Sequence, residues 1–168
     1  TIYYSEKLNK WVGQFTAGRK ADGRLNRKSV YGNTRKEVKE KITKALAEVQ
    51  DDTFIEKSNA KLIDIINSYC EQQYNANKLS EVSYLRKKET VKNISKLNIA
   101  EMKIQNINIK DINEDLAKIK DYSNSVIAKI CGLLSTCFDY AILLKLINSN
   151  PFKIKGAIIR PKSTREDK

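Results

Sequence analysis

The chain has 168 residues, enough for one ordinary domain or two small ones, and its 32 Lys and Arg against 20 acids give a formal charge of +12. Such an excess favours a polyanionic partner, either nucleic acid or an anionic membrane surface. Histidine is absent, so the commonest general base and zinc ligand are missing and most hydrolytic chemistries are disfavoured. We expect no catalytic residue, no metal site and no cofactor.

The composition also favours a soluble, cytoplasmic protein. No run approaches the roughly 18 apolar residues of a membrane span, and the N-terminus lacks a basic-then-apolar secretory pattern, so we expect no membrane partner. Cys70, Cys131 and Cys137 form no CxxC pair and lie in apolar helical stretches. They are predicted to be reduced core residues.

The first 50 residues predict a small sheet with one helix. Three β-prone runs, at residues 2–4, 11–16 and 24–31, are separated by turn-like segments, and Asp22-Gly23 in the second turn is a hairpin signal. Thr34 and Glu37 then form a capping box, and apolar residues recur at helical spacing as far as Gln50. This helix should lie across three antiparallel strands and cover one face.

Residues 51–58 interrupt the pattern and are predicted to be a linker, and the segment after them is helical. Four helices are expected within residues 59–152, with apolar faces that begin at Leu62, Tyr84, Ile109 and Ile127. The last should span about residues 123–149 and end before Pro151, because proline disfavours helix in the preceding residue. Residues 153–168 are basic, lack periodicity and are predicted to be a connector.

Residues 1–50 hold 12 basic and five acidic side chains, whereas the other 118 residues hold 20 and 15, so we expect positive charge to concentrate on the sheet and its turns. The sheet face without the helix can enter the major groove of DNA. If Gly13 and Phe15 face the helix, Gln14 and Thr16 face outward with Val12. On the third strand the outward set is either Arg24, Asn26 and Lys28 or Leu25, Arg27 and Ser29. Candidate DNA-binding residues are therefore Gln14, Thr16, Arg19, Lys20, Arg24, Asn26, Arg27, Lys28 and Arg35.

The helical region offers a second set of candidates. Its second helix is basic over several turns, and the start of its fourth helix carries small polar residues suited to phosphate contacts. The candidates are Arg86, Lys87, Lys92, Lys96, Ser123, Asn124 and Lys129. A solvated helix face explains the same spacing almost as well.

The order of several motifs resembles that in tyrosine recombinases, the integrases of phages and conjugative transposons. The stretches at residues 11–15, 18–23 and 28–37 resemble the arm-binding domain of that family, in which a sheet backed by a helix binds DNA. Ser83-Tyr84 at the start of a basic helix, residues 141–152 and Arg160-Pro161-Lys162 resemble the helical, SAM-like core-binding domain and its exit toward the catalytic domain.

The predicted fold class is α+β, with a small three-stranded antiparallel sheet and one packed helix at residues 1–50, followed by an all-α four-helix domain that the resemblance makes SAM-like. The resemblance implies sequence-specific binding of double-stranded DNA, beside other integrase protomers, by the non-catalytic part of a site-specific integrase. The family's catalytic motifs are absent, so this chain is expected not to be an enzyme, and residues 153–168 to lead toward a missing catalytic domain.

Two other functions stay open. An RNA-binding module would show outward-facing aromatic residues for stacking, and few are expected on the β region. A protein-interaction bundle would use its positive charge for solubility alone.

Overall fold

The computed structural model describes residues 1–19, 23–51 and 53–164. The chain divides into two compact units, the N-terminal unit Thr1–Phe54 and the helical unit Ile55–Lys168. In the described residues, the N-terminal unit contains one three-stranded antiparallel sheet and one long helix, and the helical unit contains the other helices. The predicted α+β fold class is therefore confirmed.

The sheet of the N-terminal unit has the strand order β1-β2-β3, with β1 at Ile2–Ser5, β2 at Lys10–Arg19 and β3 at Leu25–Gly32. The three strands lie where the sequence predicts them, although β2 extends further. Between Thr16 and Arg19 the register shifts by one residue, as in a β-bulge, so β2 contains one residue more than β3 across this stretch.

Helix α1, Arg35–Gln50, begins after the predicted N-cap Thr34 and packs on the sheet. The hydroxyl of Thr34 accepts a hydrogen bond from the amide of Glu37 at 3.1 Å, the first bond of the predicted capping box. The Glu37 carboxylate accepts from the amide of Asn33 at 2.9 Å, one residue before the N-cap, and not from Thr34 as a complete box requires. The helix approaches β2 so closely that a Cβ added at Gly13 would lie 2.5 Å from methyl groups of Val38 and Ile42. Only glycine leaves room for this contact.

The four predicted helices of the helical unit are confirmed as α2 Leu62–Asn75, α3 Glu81–Ile94, α5 Ile109–Ala117 and α6 Asn124–Leu143. A single-turn helix, α4 Asn98–Glu101, was not predicted. The apolar faces of these helices form one core. Asp115 is buried in it, where its carboxylate accepts hydrogen bonds from the amide of Ile99 at 2.7 Å and from the ammonium of Lys118 at 2.6 Å. This side chain ties α5 to α4.

Helix α6 ends at Leu143 and not at Ser149, the predicted end. Lys145 adopts a left-handed conformation at φ 54°, and its amide donates to the carbonyl of Ile142 at 2.9 Å while the amide of Leu146 donates to the carbonyl of Ala141 at 2.9 Å. This pair of bonds is the Schellman motif, which reverses the chain. Glycine usually marks such a stop, so a lysine at this position gave no signal in the sequence.

Helix α6 is long and apolar enough, by length and composition, to cross a membrane, so the expectation that no run approaches such a span was wrong. Eight of its residues are buried, and they belong to the core of the helical unit. The core helix of a soluble protein meets the same test. Packing within the unit therefore accounts for the apolar composition of α6.

We predict that Gly13→Ala lowers the free energy of unfolding of the N-terminal unit by about 1–3 kcal/mol, because the new methyl group overlaps Val38 and Ile42. The fluorescence of Trp11, the one tryptophan, reports on this unit during guanidinium denaturation. Gly132→Ala is the control: its Cβ meets nothing within 4 Å and it lies in α6 of the helical unit, so the unfolding transition reported by Trp11 should not shift. An unchanged free energy of unfolding in Gly13→Ala would contradict the close packing of α1 on β2.

The three cysteines are buried free thiols in α2 and α6, at the predicted core positions. Burial raises the pKa of Cys70 and Cys131, and it raises the pKa of Cys137 to about 12. Because the thiolate is the nucleophile, we expect alkylation near neutral pH to be about 100-fold slower in the folded chain than in denaturant. Mass spectrometry after timed iodoacetamide labelling measures both rates, and equal rates would contradict the buried thiols.

Candidate nucleic-acid interface

The face of the sheet turned away from α1 follows from the alternation of side chains along each strand. A Cβ added at Gly13 or Gly32 would lie 2.5 or 2.9 Å from Val38 of α1, so both glycines face the helix. Successive residues of a strand point to opposite faces, so Gln14 and Tyr31 face away from the helix.

The pairing of β2 with β3 decides between the two outward sets considered for the third strand. Gln14 pairs with Ser29 and Thr16 pairs with Arg27, and residues opposite each other in a sheet share a face. Leu25, Arg27 and Ser29 therefore form the outward set. The other set is not outward, since Asn26 and Lys28 lie half-buried on the α1 side and Arg24 lies in the turn before β3.

We call the surface of the sheet opposite α1 the outer sheet face; its members are Tyr3, Ser5, Lys10, Val12, Gln14, Thr16, Arg19, Leu25, Arg27, Ser29 and Tyr31. Val12 is only 3% exposed, because it lies in register between Tyr3 and Tyr31, each 47% exposed. Two tyrosine rings, those of Tyr3 and Tyr31, thus face outward on the sheet. The sequence offered no signal for this pair without the strand register.

Arg19 lies at the hairpin end of the outer sheet face, where it pairs with Leu25. Its guanidinium donates a hydrogen bond to the carbonyl of Gly23 at 2.9 Å, which holds the side chain beside the turn. Gly18 and Gly23 both have positive φ there, at 92° and 79°. Lys20, another predicted DNA-binding residue, lies outside the described residues.

The positive charge of the first 50 residues is greater in the part of the chain that contains the sheet than on α1, as expected. Five of the 12 basic residues lie on α1, namely Arg35, Lys36, Lys39, Lys41 and Lys44, and the other seven precede it in the sequence. Three of the five acids also lie on α1, so the net charge is +2 on the helix and +5 before it. Arg35, a predicted DNA-binding residue, borders a depression with Ile2, Lys36 and Lys39 at the start of this helix, away from the outer sheet face. The outer sheet face combines hydrogen-bonding side chains with the cations Lys10, Arg19 and Arg27.

In the helical unit, α3 and α6 lie side by side and enclose a groove with two clefts. One cleft is lined by Tyr69, Arg86, Lys87, Thr90, Lys129, Gly132, Leu133 and Thr136, and the other by Asn93, Lys96, Tyr122, Ser123 and Val126. The first has an apolar floor with cations at its rim. The ammonium of Lys87 lies 5.3 Å from the centre of the Tyr69 ring, a cation–π contact that orients it at this rim.

The α3–α6 groove brings together five of the seven residues predicted in the helical region, namely Arg86, Lys87, Lys96, Ser123 and Lys129. Ser123 is also the N-cap of α6, with its hydroxyl accepting from the amide of Val126 at 3.4 Å. Lys92 and Asn124 are not part of the lining. The carboxamide oxygen of Asn124 instead accepts a hydrogen bond from the amide of Ser163 at 3.0 Å.

The outer sheet face and the α3–α6 groove offer cations, amides, hydroxyls and aromatic rings, the groups that pair with phosphates and base edges. Over residues 1–19, 23–51 and 53–164, the structure contains no cluster of three or more His, Cys, Asp or Glu side chains that could hold a metal ion. The arrangement therefore supports binding of a polyanion through hydrogen bonds and charge.

Comparison with known proteins gives one weak likeness. No protein-family model matches the sequence, and no curated protein matches it. Among solved structures, the chain is similar to the "Crystal structure of a lambda integrase dimer bound to a COC' core site", with 16% identity and a TM-score of 0.48 over 94% of this chain and 45% of that one. The chain thus spans less than half the length of that protein, and the likeness is too weak to transfer a role to any residue.

Proposed function

We propose that this chain binds double-stranded DNA sequence-selectively, as the non-catalytic part of a site-specific integrase that acts in the cytoplasm. The outer sheet face carries the proposal, because Gln14, Thr16, Arg27 and Ser29 form adjacent cross-strand pairs on the face that α1 leaves uncovered. A narrow sheet can enter the major groove, where Arg pairs with guanine and Gln with adenine.

The α3–α6 groove of the helical unit supplies the second DNA contact in this proposal. Lys87 and Lys129 place one cation on each wall of the larger cleft, and Lys96 and Ser123 line the other cleft. Contacts of this kind bind phosphates and carry no sequence information. Two DNA-binding units on one chain raise the overall affinity through effective concentration, and further protomers on the same DNA would add to it.

Tyr3 and Tyr31 favour a second candidate function, the binding of RNA. Exposed aromatic rings stack on unpaired bases, and this pair lies on the same face as Gln14 and Arg27. The double-stranded DNA proposal is preferred because paired polar side chains along β2 and β3 match base edges in a groove. Affinity for RNA above that for duplex DNA of matched sequence would reverse this preference.

We predict that Arg27→Ala weakens binding to the preferred duplex by about 1–3 kcal/mol, because alanine cannot form the bidentate hydrogen bonds that arginine makes with a base. The preferred duplex is first selected from a randomised pool, and affinity is then measured by fluorescence anisotropy at fixed salt. The control is Lys39→Ala, which removes an exposed cation of α1 and should change affinity much less. Equal affinity for duplex DNA, double-stranded RNA and heparin, or a larger loss with Lys39→Ala, would contradict sequence-selective binding by the sheet.

A separate prediction concerns the groove of the helical unit. Lys87→Ala with Lys129→Ala should weaken binding to all duplexes alike and lower the slope of log affinity against log salt by about 0.9 for each phosphate that is no longer neutralised. Lys92→Ala is the matched control, since Lys92 belongs to the same helix but does not line the groove. If both variants give the same slope, the groove does not bind phosphates.

A further inference from the structure

Residues 157–164, which we call the C-terminal strap, have no regular secondary structure, yet side chains of α5 and α6 hold them in place. The carboxamide of Asn113 in α5 donates to the carbonyl of Ala157 at 2.9 Å and accepts from the amide of Ile159 at 2.8 Å. One side chain thus satisfies the backbone on both sides of Ile158, which packs against the core. This end of the strap belongs to the helical unit.

A second set of hydrogen bonds holds the other end of the strap. Asn124 accepts from the amide of Ser163 at 3.0 Å, and the amide of Thr164 donates to the carbonyl of Lys120 at 2.9 Å. The hydroxyl of Thr164 also bonds to the carboxylate of Asp121 at 3.0 Å. Residues 160–162, which include two cations, therefore lie between two hydrogen-bonded ends of the strap.

The strap runs beside α6 on the side away from α3. Asn124, which binds the strap, and Cys131 are about two turns apart and so lie on one side of α6. Val126 and Leu133, which line the α3–α6 groove, lie about 180–200° round the helix axis from Asn124. The positive charge of Arg160 acts on the Cys131 thiol and partly offsets the effect of burial on its pKa, which agrees with a position beside this part of α6.

We propose that the strap is part of the DNA-binding surface of the helical unit, with Arg160 as a phosphate-binding residue and Asn113 as the positioning residue that holds it. The inference rests on the proposed function. Arg86 and Lys87 border α6 on one side and Arg160 on the other, while Lys129 of α6 lies exposed. A helix with side chains is about 10–12 Å across and the major groove is about 12 Å wide, so the two borders suit phosphates of opposite strands.

The test measures duplex affinity and salt slope for single and double variants of the full chain. Arg160→Ala should weaken binding about five- to tenfold and lower the slope by about 0.9, as expected when one phosphate is no longer neutralised. Asn113→Ala should cause a similar loss of affinity, and the double variant should lose no more than Arg160→Ala alone, because Asn113 acts through Arg160. Lys155→Ala is the control, since this exposed cation precedes the strap and should leave both values unchanged.

Hydrogen exchange gives an independent readout of the strap. The amide of Ile159 should be protected in the native chain and should exchange faster in Asn113→Ala, because its acceptor is removed. A freed Ile159 amide with unchanged duplex affinity, or an Arg160→Ala variant that matches Lys155→Ala, overturns the inference. If Asn113→Ala fails to fold, the affinity of Arg160→Ala alone decides the outcome, because Arg160 is exposed and its replacement should not affect folding.

The same measurements separate this inference from the proposed function. Suppose that Arg27→Ala and the Lys87→Ala, Lys129→Ala double variant lose affinity and Arg160→Ala does not. The strap then does not bind DNA, and the proposed function stands. A native chain that binds no duplex DNA overturns both proposals, even where exchange shows the strap in place.

Discussion

The close contact of α1 with β2 determines what the N-terminal unit can present to a partner. Because Gly13 has no side chain, Val38 and Ile42 pack directly against the strand, and this packing buries one face of a sheet that is too small to bury both. The opposite face, which carries Gln14 and Arg27, is not covered by α1. Burial on one side and hydrogen-bonding capacity on the other are thus two results of a single contact.

In the helical unit, side-chain amides hold the irregular segments against the helices. Gln105 accepts from the amide of Ser58 at 3.0 Å and donates to the carbonyls of Glu56 and Leu146 at 2.8 and 2.9 Å. Asn113 holds the strap in the same way, and Asn124 accepts a hydrogen bond from it. A side-chain amide carries both a donor and an acceptor. It can therefore form the hydrogen bonds with a backbone peptide group that a neighbouring strand would otherwise form. Among the described residues, every buried side-chain N or O atom has a partner.

Part of the candidate site could be predicted from residue type and position along the chain. Gln14, Thr16 and Arg27 on the outer sheet face and Lys87 and Lys129 in the groove all belong to the predicted set. The sequence left two outward sets open for the third strand, and the register places Asn26 and Lys28 on the α1 side, while Arg35 lies at the start of α1. Tyr3 and Tyr31 were missed, because strand periodicity without the register does not assign their faces.

The sequence by itself determined most of the secondary structure, because turn signals, capping residues and apolar periodicity act within a few residues of one another. Asp22-Gly23, Thr34 with Glu37, and the recurring apolar positions of α2, α3, α5 and α6 are signals of this kind. Only the tertiary structure decided the register of β3, the stop at Lys145 and the docking of the strap on Asn113. All three features depend on packing or hydrogen bonding between segments that meet only in the folded chain. The residue types at these positions do not specify those contacts in advance.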